Sequence, residues 1–326
     1  MTSPRLAKFA WGVLAYNVLV ILWGAFVRAS GSGAGCGAHW PMCNGVVMPV
    51  NPRIETLIEL SHRVTSGLSL LLVVVLAVFA FRVERPGSPV RRAAFASVVF
   101  IMFEALIGAG LVLFELVAHN ASVKRALSMS LHLTNTFFLL AALSLTAWWA
   151  SGNPRVTFRR QGPIPWIFGL TMLAMIVLGT SGAITALGDT LFPVHSLSEG
   201  FAQELSATAH LFVRLKILHP FLALGVALGM IACATTSRLL RPTASVQRLS
   251  RMLIVIYLAQ LSAGLLNVTL LAPIWLQLVH LALAEGIWIC LVLLGASALH
   301  APIMSKNGPA PMSERPPSTS SVAPVM

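Results

Sequence analysis

Apolar residues run through this chain in blocks too long for the buried face of a soluble helix. The blocks cover residues 9–27, 62–81, 95–113, 127–149, 164–184, 217–234, 252–271 and 276–298. Each is close to the run of about 20 apolar residues that a helix needs to cross hydrocarbon. Short polar links rich in Arg separate them. The pattern predicts eight transmembrane helices and an all-α, polytopic membrane protein. The first block follows Arg5 and Lys8, as the apolar core of a signal peptide would. It is longer than the roughly 7–15 residues such a core has, so we read it as the first span. The segment 302–326 is rich in Pro and Ser and is expected to be a disordered cytoplasmic tail.

Composition sharpens this picture. Hydrophobic residues make up 57% of the 326 positions and charged residues only 10%, against about 25% charged in a soluble domain. The net charge of +12 would point to nucleic acid in a soluble protein. Here its placement gives another meaning. Arg5, Lys8, Arg82, Arg85, Arg91, Arg92, Arg155, Arg159, Arg160, Arg238, Arg241, Arg248, Arg251, Lys306 and Arg315 all fall on one side of the eight-span map. Positive loops stay in the cytoplasm, so both termini are expected there, with the lipid bilayer and not nucleic acid as the partner of the surface. No Arg- and Ser-rich transit stretch precedes the first span, so the expected location is a bacterial plasma membrane.

The two halves echo each other. Gly24 and Gly179 lie near the ends of spans 1 and 5, Glu104 and Gln260 in spans 3 and 7, the latter two each followed four residues on by Gly. His62 opens span 2 and His219 span 6; His132 stands in span 4 and His280 in span 8. One order recurs at a similar offset, as in a duplicated unit. The expected organisation is two pseudo-symmetric four-helix bundles, 1–150 and 151–301, each with an interior that can house a cofactor.

Of nine His, these four share a pattern. All lie on spans that run from outside to inside, within the first turn or two, so all sit near the outer face. A lone His there is ordinary interfacial packing. Two per bundle at one depth can grip a flat cofactor, and imidazole is an axial ligand of haem iron. Zinc or copper would want a third or fourth ligand, and no Cys or Asp stands at that depth on the same helices. His39, His119, His195, His210 and His300 read as solvated surface. Cys233 and Cys290 read as small buried hydrophobes.

The first outer loop, FVRASGSGAGCGAHWPMCNG from Phe26 to Gly45, carries Cys36 and Cys43. Outside the membrane these thiols meet an oxidising compartment, so a disulfide is expected, either structural or redox-active.

The stretch RASGSGAGCGAHWPMCNG resembles the first outer loop of the haem A synthases. IELSHR from Ile58, RLKILHP from Arg214 to Pro220, and NVTLLAPIWLQLVHL from Asn267 to Leu281 resemble that family's motifs at spans 2, 6 and 8. The resemblance covers most of residues 8–298. It implies an oxidoreductase of two four-helix bundles that converts a ring methyl of haem O to a formyl group, giving haem A for terminal oxidases. It implies substrate haem on His62 and His132, a haem b cofactor on His219 and His280, and a haem O synthase and a terminal oxidase as partners.

Glu59 then becomes the residue of interest. It precedes His62 by three, so the two share a helix face. The same offset gives Lys216, Met129 and Gln277 before His219, His132 and His280. Only one of the four has a carboxylate beside it. Glu59 can be a helix-N-terminal acid or the partner of Arg63. It can also be the general base of methyl oxidation, or the stabiliser of a cationic intermediate. Arg28, Arg63, Arg214 and Lys216 are outer-side cations suited to haem propionates or to plain flanking charge. Glu104 and Glu285 read as buried acids without partners. Two other readings compete: a di-haem b electron carrier, disfavoured by placing all four His at one depth, and a repeat-built transporter, which would want a midplane site.

Overall fold

The computed structural model describes residues 3–300, so the expected tail 302–326 lies outside the described residues. The chain folds as α1 (Pro4–Ala29), α2 (Ile54–Val83), α3 (Pro89–Leu113), α4 (Val123–Ala150), α5 (Ile164–Leu191), α6 (Leu197–Leu205), α7 (Leu211–Leu215), α8 (Leu218–Leu240), α9 (Ala244–Thr269) and α10 (Ile274–Ala298). Eight segments are long and apolar enough to cross a membrane, with α7 and α8 together forming the sixth. The protein is all-α and multi-pass.

Start signals are local. The side chains of Ser3, Ser88, Ser122 and Thr243 accept from the backbone N–H groups of Leu6, Arg91, Arg125 and Val246, and Pro4 and Pro89 fill positions where a missing N–H costs nothing. The longest departures from the sequence reading are in α2, which begins at Ile54 rather than 62, and in α9, which begins at Ala244 rather than 252. The first turns of α2 carry Glu55 and Glu59, which interrupt the apolar run, so hydropathy misses them. Glu59 therefore sits in the second turn, and Glu55 is the acid of the first.

The sixth span breaks for a visible reason. Pro220 cannot donate to the carbonyl of Lys216, four residues back, and its ring crowds that carbonyl. The helix stops at Leu215 and restarts at Leu218, with His219 N–H donating to Lys216 O over a shorter span, 3.1 Å. His62 is followed by Arg63 instead, and α2 runs through without interruption.

Helices α1–α4 pack on one another, as do α5, α8, α9 and α10. The two groups meet where α10 crosses α4 and α1, and α4 crosses α5. At that junction the Trp288 indole donates to the Phe137 carbonyl (2.6 Å), with the two rings stacked 4.7 Å apart. Such a bond inside an apolar slab leaves no water-starved donor behind. Cys233 and Cys290 are buried free thiols, as expected.

Candidate functional site

Each of the four His lies against a glycine of a neighbouring helix. A Cβ at Gly24 of α1 would stand 2.9 Å from His62 Cε1, and one at Gly264 of α9 would stand 3.2 Å from His280 Cε1. A Cβ at Gly182 of α5 would be 3.0 Å from His219 Cε1, and one at Gly108 of α3 would be 3.9 Å from His132 Cε1. At Gly24, Gly182 and Gly264 a side chain would crowd the Cε1 corner of the imidazole, whereas at Gly108 it would make ordinary contact. It is Gly182, not Gly179, that faces His219; Gly179 is closed off by Phe137. Gly24→Ala or Gly182→Ala is expected to push the imidazole from its seat and weaken whatever it ligates, read as lower haem content in purified protein; Gly12→Ala, where nothing lies within 4 Å, should leave haem content unchanged.

All four His are half-buried. The His219 and His280 ring centroids are 6.4 Å apart, with the ring planes inclined at 66°. Two imidazoles bound on opposite sides of one metal at about 2 Å each have centroids about 6 Å apart. The pair is thus spaced to fit one metal between them. Ser181 Oγ is 2.8 Å from His219 Nδ1, and Gln260 Nε2 is 3.1 Å from His280 Nε2. Nδ1 of His62, His132 and His280 is buried without a hydrogen-bond partner among the described residues. Nor, among those residues, does any group of three or more His, Cys, Asp or Glu stand where it could hold a bare metal ion. Two imidazoles alone suit a metal that brings its other ligands with it, as haem iron does.

The N-terminal pair is overlaid by the first outer loop. Cys36 and Cys43 form a disulfide, as expected. Gly35 touches α2 so closely that a Cβ there would strike the backbone of Glu55 and Thr56, and the Thr56 hydroxyl donates to Gly35 O (2.7 Å). Glu59, 3% exposed, joins loop to helix. Its Oε2 accepts from the Cys36 N–H at 2.8 Å, and its Oε1 accepts from Arg63 Nη2 at 2.5 Å and Nε at 3.1 Å. Arg63 Nη1 reaches on to the carbonyls of His39 (2.6 Å) and Met42 (2.7 Å). Carboxylate, guanidinium and disulfide loop form one unit one turn above His62.

The other cations are equally engaged, with one exception. Arg28 of α1 donates to Ala186 O and Thr190 Oγ1 of α5 (2.8 and 2.7 Å) and to Gln277 Oε1 of α10 (3.0 Å), tying the two halves at the outer side. Lys216 pairs with Asp189 (2.7 Å) and Glu204 (3.3 Å), which pins α6 over the C-terminal site. Arg214 is exposed, with no ion pair among the described residues.

Two further expectations need correction. Glu104 is not without partners: Asn135 Nδ2 and Thr136 Oγ1 of α4 both donate to it. Glu285 does match its reading, since both its oxygens are buried with no hydrogen bond among the described residues. His210 is not solvated. It stacks on Phe192 at 4.9 Å and meets Phe212 edge-on at 4.5 Å, and its Nδ1 accepts from the Phe212 N–H to cap α7. The pattern H-x-F was in the sequence, but the partner Phe192 comes from the end of α5.

Residues 7–292 match the family model described as cytochrome oxidase assembly protein, COX15-CtaA. The chain is 51% identical over 263 residues, 81% of its length, to a protein of Thermus thermophilus named protohaem IX farnesyltransferase, and the match covers 43% of that relative. It is 33% identical over 186 residues to a haem A synthase of an Exiguobacterium species, covering 57% of this chain and 60% of that one. To the haem A synthase of Alkalihalophilus pseudofirmus it is 46% identical over 97 residues, 30% of this chain and 33% of the relative. The chain thus spans less than two thirds of the length of each of these relatives.

Proposed function

The chain belongs to the COX15-CtaA family of cytochrome oxidase assembly proteins, and from that premise we propose that it is a haem A synthase, an oxidoreductase that turns a ring methyl of haem O into the formyl group of haem A. The observation that carries this reading is the His219–His280 pair, its rings 6.4 Å apart, with His62 and His132 set against glycines in the same way in the other half. We assign a resident haem b to His219 and His280, and the substrate haem to His62 and His132. The working units are residues 1–150 and 151–301, in a bacterial plasma membrane with both termini in the cytoplasm.

Haem b, when bound, supplies one-electron redox chemistry. The chain's own residues do the rest. His62 and His132 orient the substrate ring near the outer face. The Glu59–Arg63 pair and the disulfide loop would cover that ring on its outer side. Converting a ring methyl to a formyl group with oxygen taken from water (–CH3 + H2O → –CHO + 4 H+ + 4 e−) sends four electrons by way of the resident haem to an external acceptor and releases four protons, and Glu59 holds a carboxylate oxygen within one turn of His62 to receive them. Arg28 keeps the halves in fixed register, which electron transfer between the two sites requires. Arg214 is free to meet a propionate. Farnesylated protohaem is the product that the name of the Thermus relative describes, so a transferase of that kind is the proposed supplier of substrate, and a terminal oxidase the consumer of product.

The test is chromatography of haems extracted from cells that express this chain with a protohaem IX farnesyltransferase. Haem A should appear only when both proteins are present. Two bound haems without any haem A would instead favour the electron carrier.

A further inference from the structure

The two halves differ beside the second His of each pair. In α3, Glu104 is followed four residues on by Gly108, and both face His132: Glu104 Oε1 is 3.6 Å from His132 Nδ1, and Gly108 underlies the ring edge. In α9, Gln260 is followed four residues on by Gly264, and both face His280: the Gln260 amide nitrogen is 3.1 Å from His280 Nε2. The same spacing on the same face delivers a carboxylate to one imidazole and a neutral amide to the other.

Glu104 is held in place by two side chains of α4. Asn135 Nδ2 donates to its Oε2 and also to Phe100 O (2.9 Å), and Thr136 Oγ1 donates to its Oε1 at 2.5 Å. Asn135 and Thr136 stand one turn beyond His132, on the helix that carries it. The carboxylate is thus fixed relative to the imidazole by that imidazole's own helix. At 3.6 Å it makes no hydrogen bond to Nδ1, so what it exerts is charge. A negative charge there favours the more positive state of a metal bound to the ring, and groups behind an imidazole tune the metal in this way. The amide of Gln260 carries no such charge.

We propose that Glu104 is a positioning residue of the N-terminal site, a carboxylate set against His132 that favours the ferric state of the haem iron held there. It rests on the reading of His62 and His132 as haem ligands. The charge of Glu104 lowers the potential of the N-terminal haem, the direction that eases electron flow from the half where haem O is oxidised to the half that holds haem b. The couple is the one-electron ferric/ferrous pair, so in a titration the electrode supplies or takes one electron at each iron.

The experiment is a spectroelectrochemical titration of the purified two-haem protein, with the waves assigned through His132→Ala and His280→Ala. Glu104→Gln keeps an acceptor for Asn135 and removes the charge. Its N-terminal midpoint should rise by about 59 mV or more, a tenfold or larger change in the ferrous-to-ferric ratio, while the C-terminal wave stays put. Gln260→Glu should move the C-terminal wave down by a similar amount. Unshifted waves in either variant, with both haems bound, overturn the inference and leave the haem reading intact. If Glu104→Gln does not retain its N-terminal haem, Gln260→Glu decides. A wild-type N-terminal wave that survives His132→Ala overturns the haem reading of that half, and the inference with it.

Discussion

His219→Ala and His280→Ala are each expected to strip the C-terminal half of haem b. The two ring centroids are 6.4 Å apart, and each ring is seated against a glycine. Removing one leaves the iron a single protein ligand inside an apolar bundle, where no cluster of His, Cys, Asp or Glu among the described residues is at hand to replace it. Loss of a mere outer-shell partner costs roughly 10–100-fold in metal affinity, and loss of the ligand itself should exceed that. The reduced-haem absorption assigned to this half should vanish from purified protein, while His62→Ala should leave it in place. The fold should survive in both variants, because half-buried imidazoles make few of the core contacts; the core at that junction rests on Phe137 and Trp288. Full retention of the signal in both variants would remove the ligand assignment.

The spans were legible because hydrocarbon imposes a length on them, and the eight long segments keep to it. What hydropathy cannot see is where a helix continues into the polar layer. Glu55 and Glu59 interrupt the apolar run, so hydropathy starts the span at 62, yet Ile54 to Ser61 are the first two turns of α2; the spacing of Glu59 and His62 was the sign that the helix began earlier. The break before His219 was written in RLKILHP, since a proline fixes where the preceding turn must open. The short α6 was not legible, being nine residues without an apolar block. Ligand candidates were legible as a repeated depth. Their glycine seats were not: Gly24 and Gly179 entered only as markers of the repeat, and packing sets Gly24 against His62 but Gly182, not Gly179, against His219. The pairing of Arg63 with Glu59 was legible, because the two stand four apart on one helix, but its reach to the His39 and Met42 carbonyls was not. Sequence offers Arg28 and Lys216 as free cations for propionates, whereas Arg28 is committed to α5 and α10 and Lys216 to Asp189 and Glu204. Those partners lie in loops or in other helices, and nothing local announces them.

Glu59→Ala is expected to cut conversion of haem O to haem A by about 100-fold or more, the usual scale for loss of an acid–base group, with haem O or a partly oxidised alcohol building up. The C-terminal haem b should be untouched, since Glu59 lies in the other half. The alanine variant alone cannot separate chemistry from scaffolding. Glu59 is the shared acceptor of the Cys36 N–H and the Arg63 guanidinium. Removing one partner of a buried ion pair costs about 3–5 kcal/mol, so the alanine variant should also melt earlier and loosen the disulfide loop. Glu59→Gln divides the two roles. Its amide oxygen can still accept from the Cys36 N–H, and its side chain fills the same space, so the loop should stay docked and the melting temperature should fall less. It cannot take a proton. If Glu59 is the base, haem A should be as scarce with Gln as with Ala, despite the better fold. If haem A returns with Gln, Glu59 serves to hold the loop over the ring, and the proton acceptor must be sought elsewhere above His62.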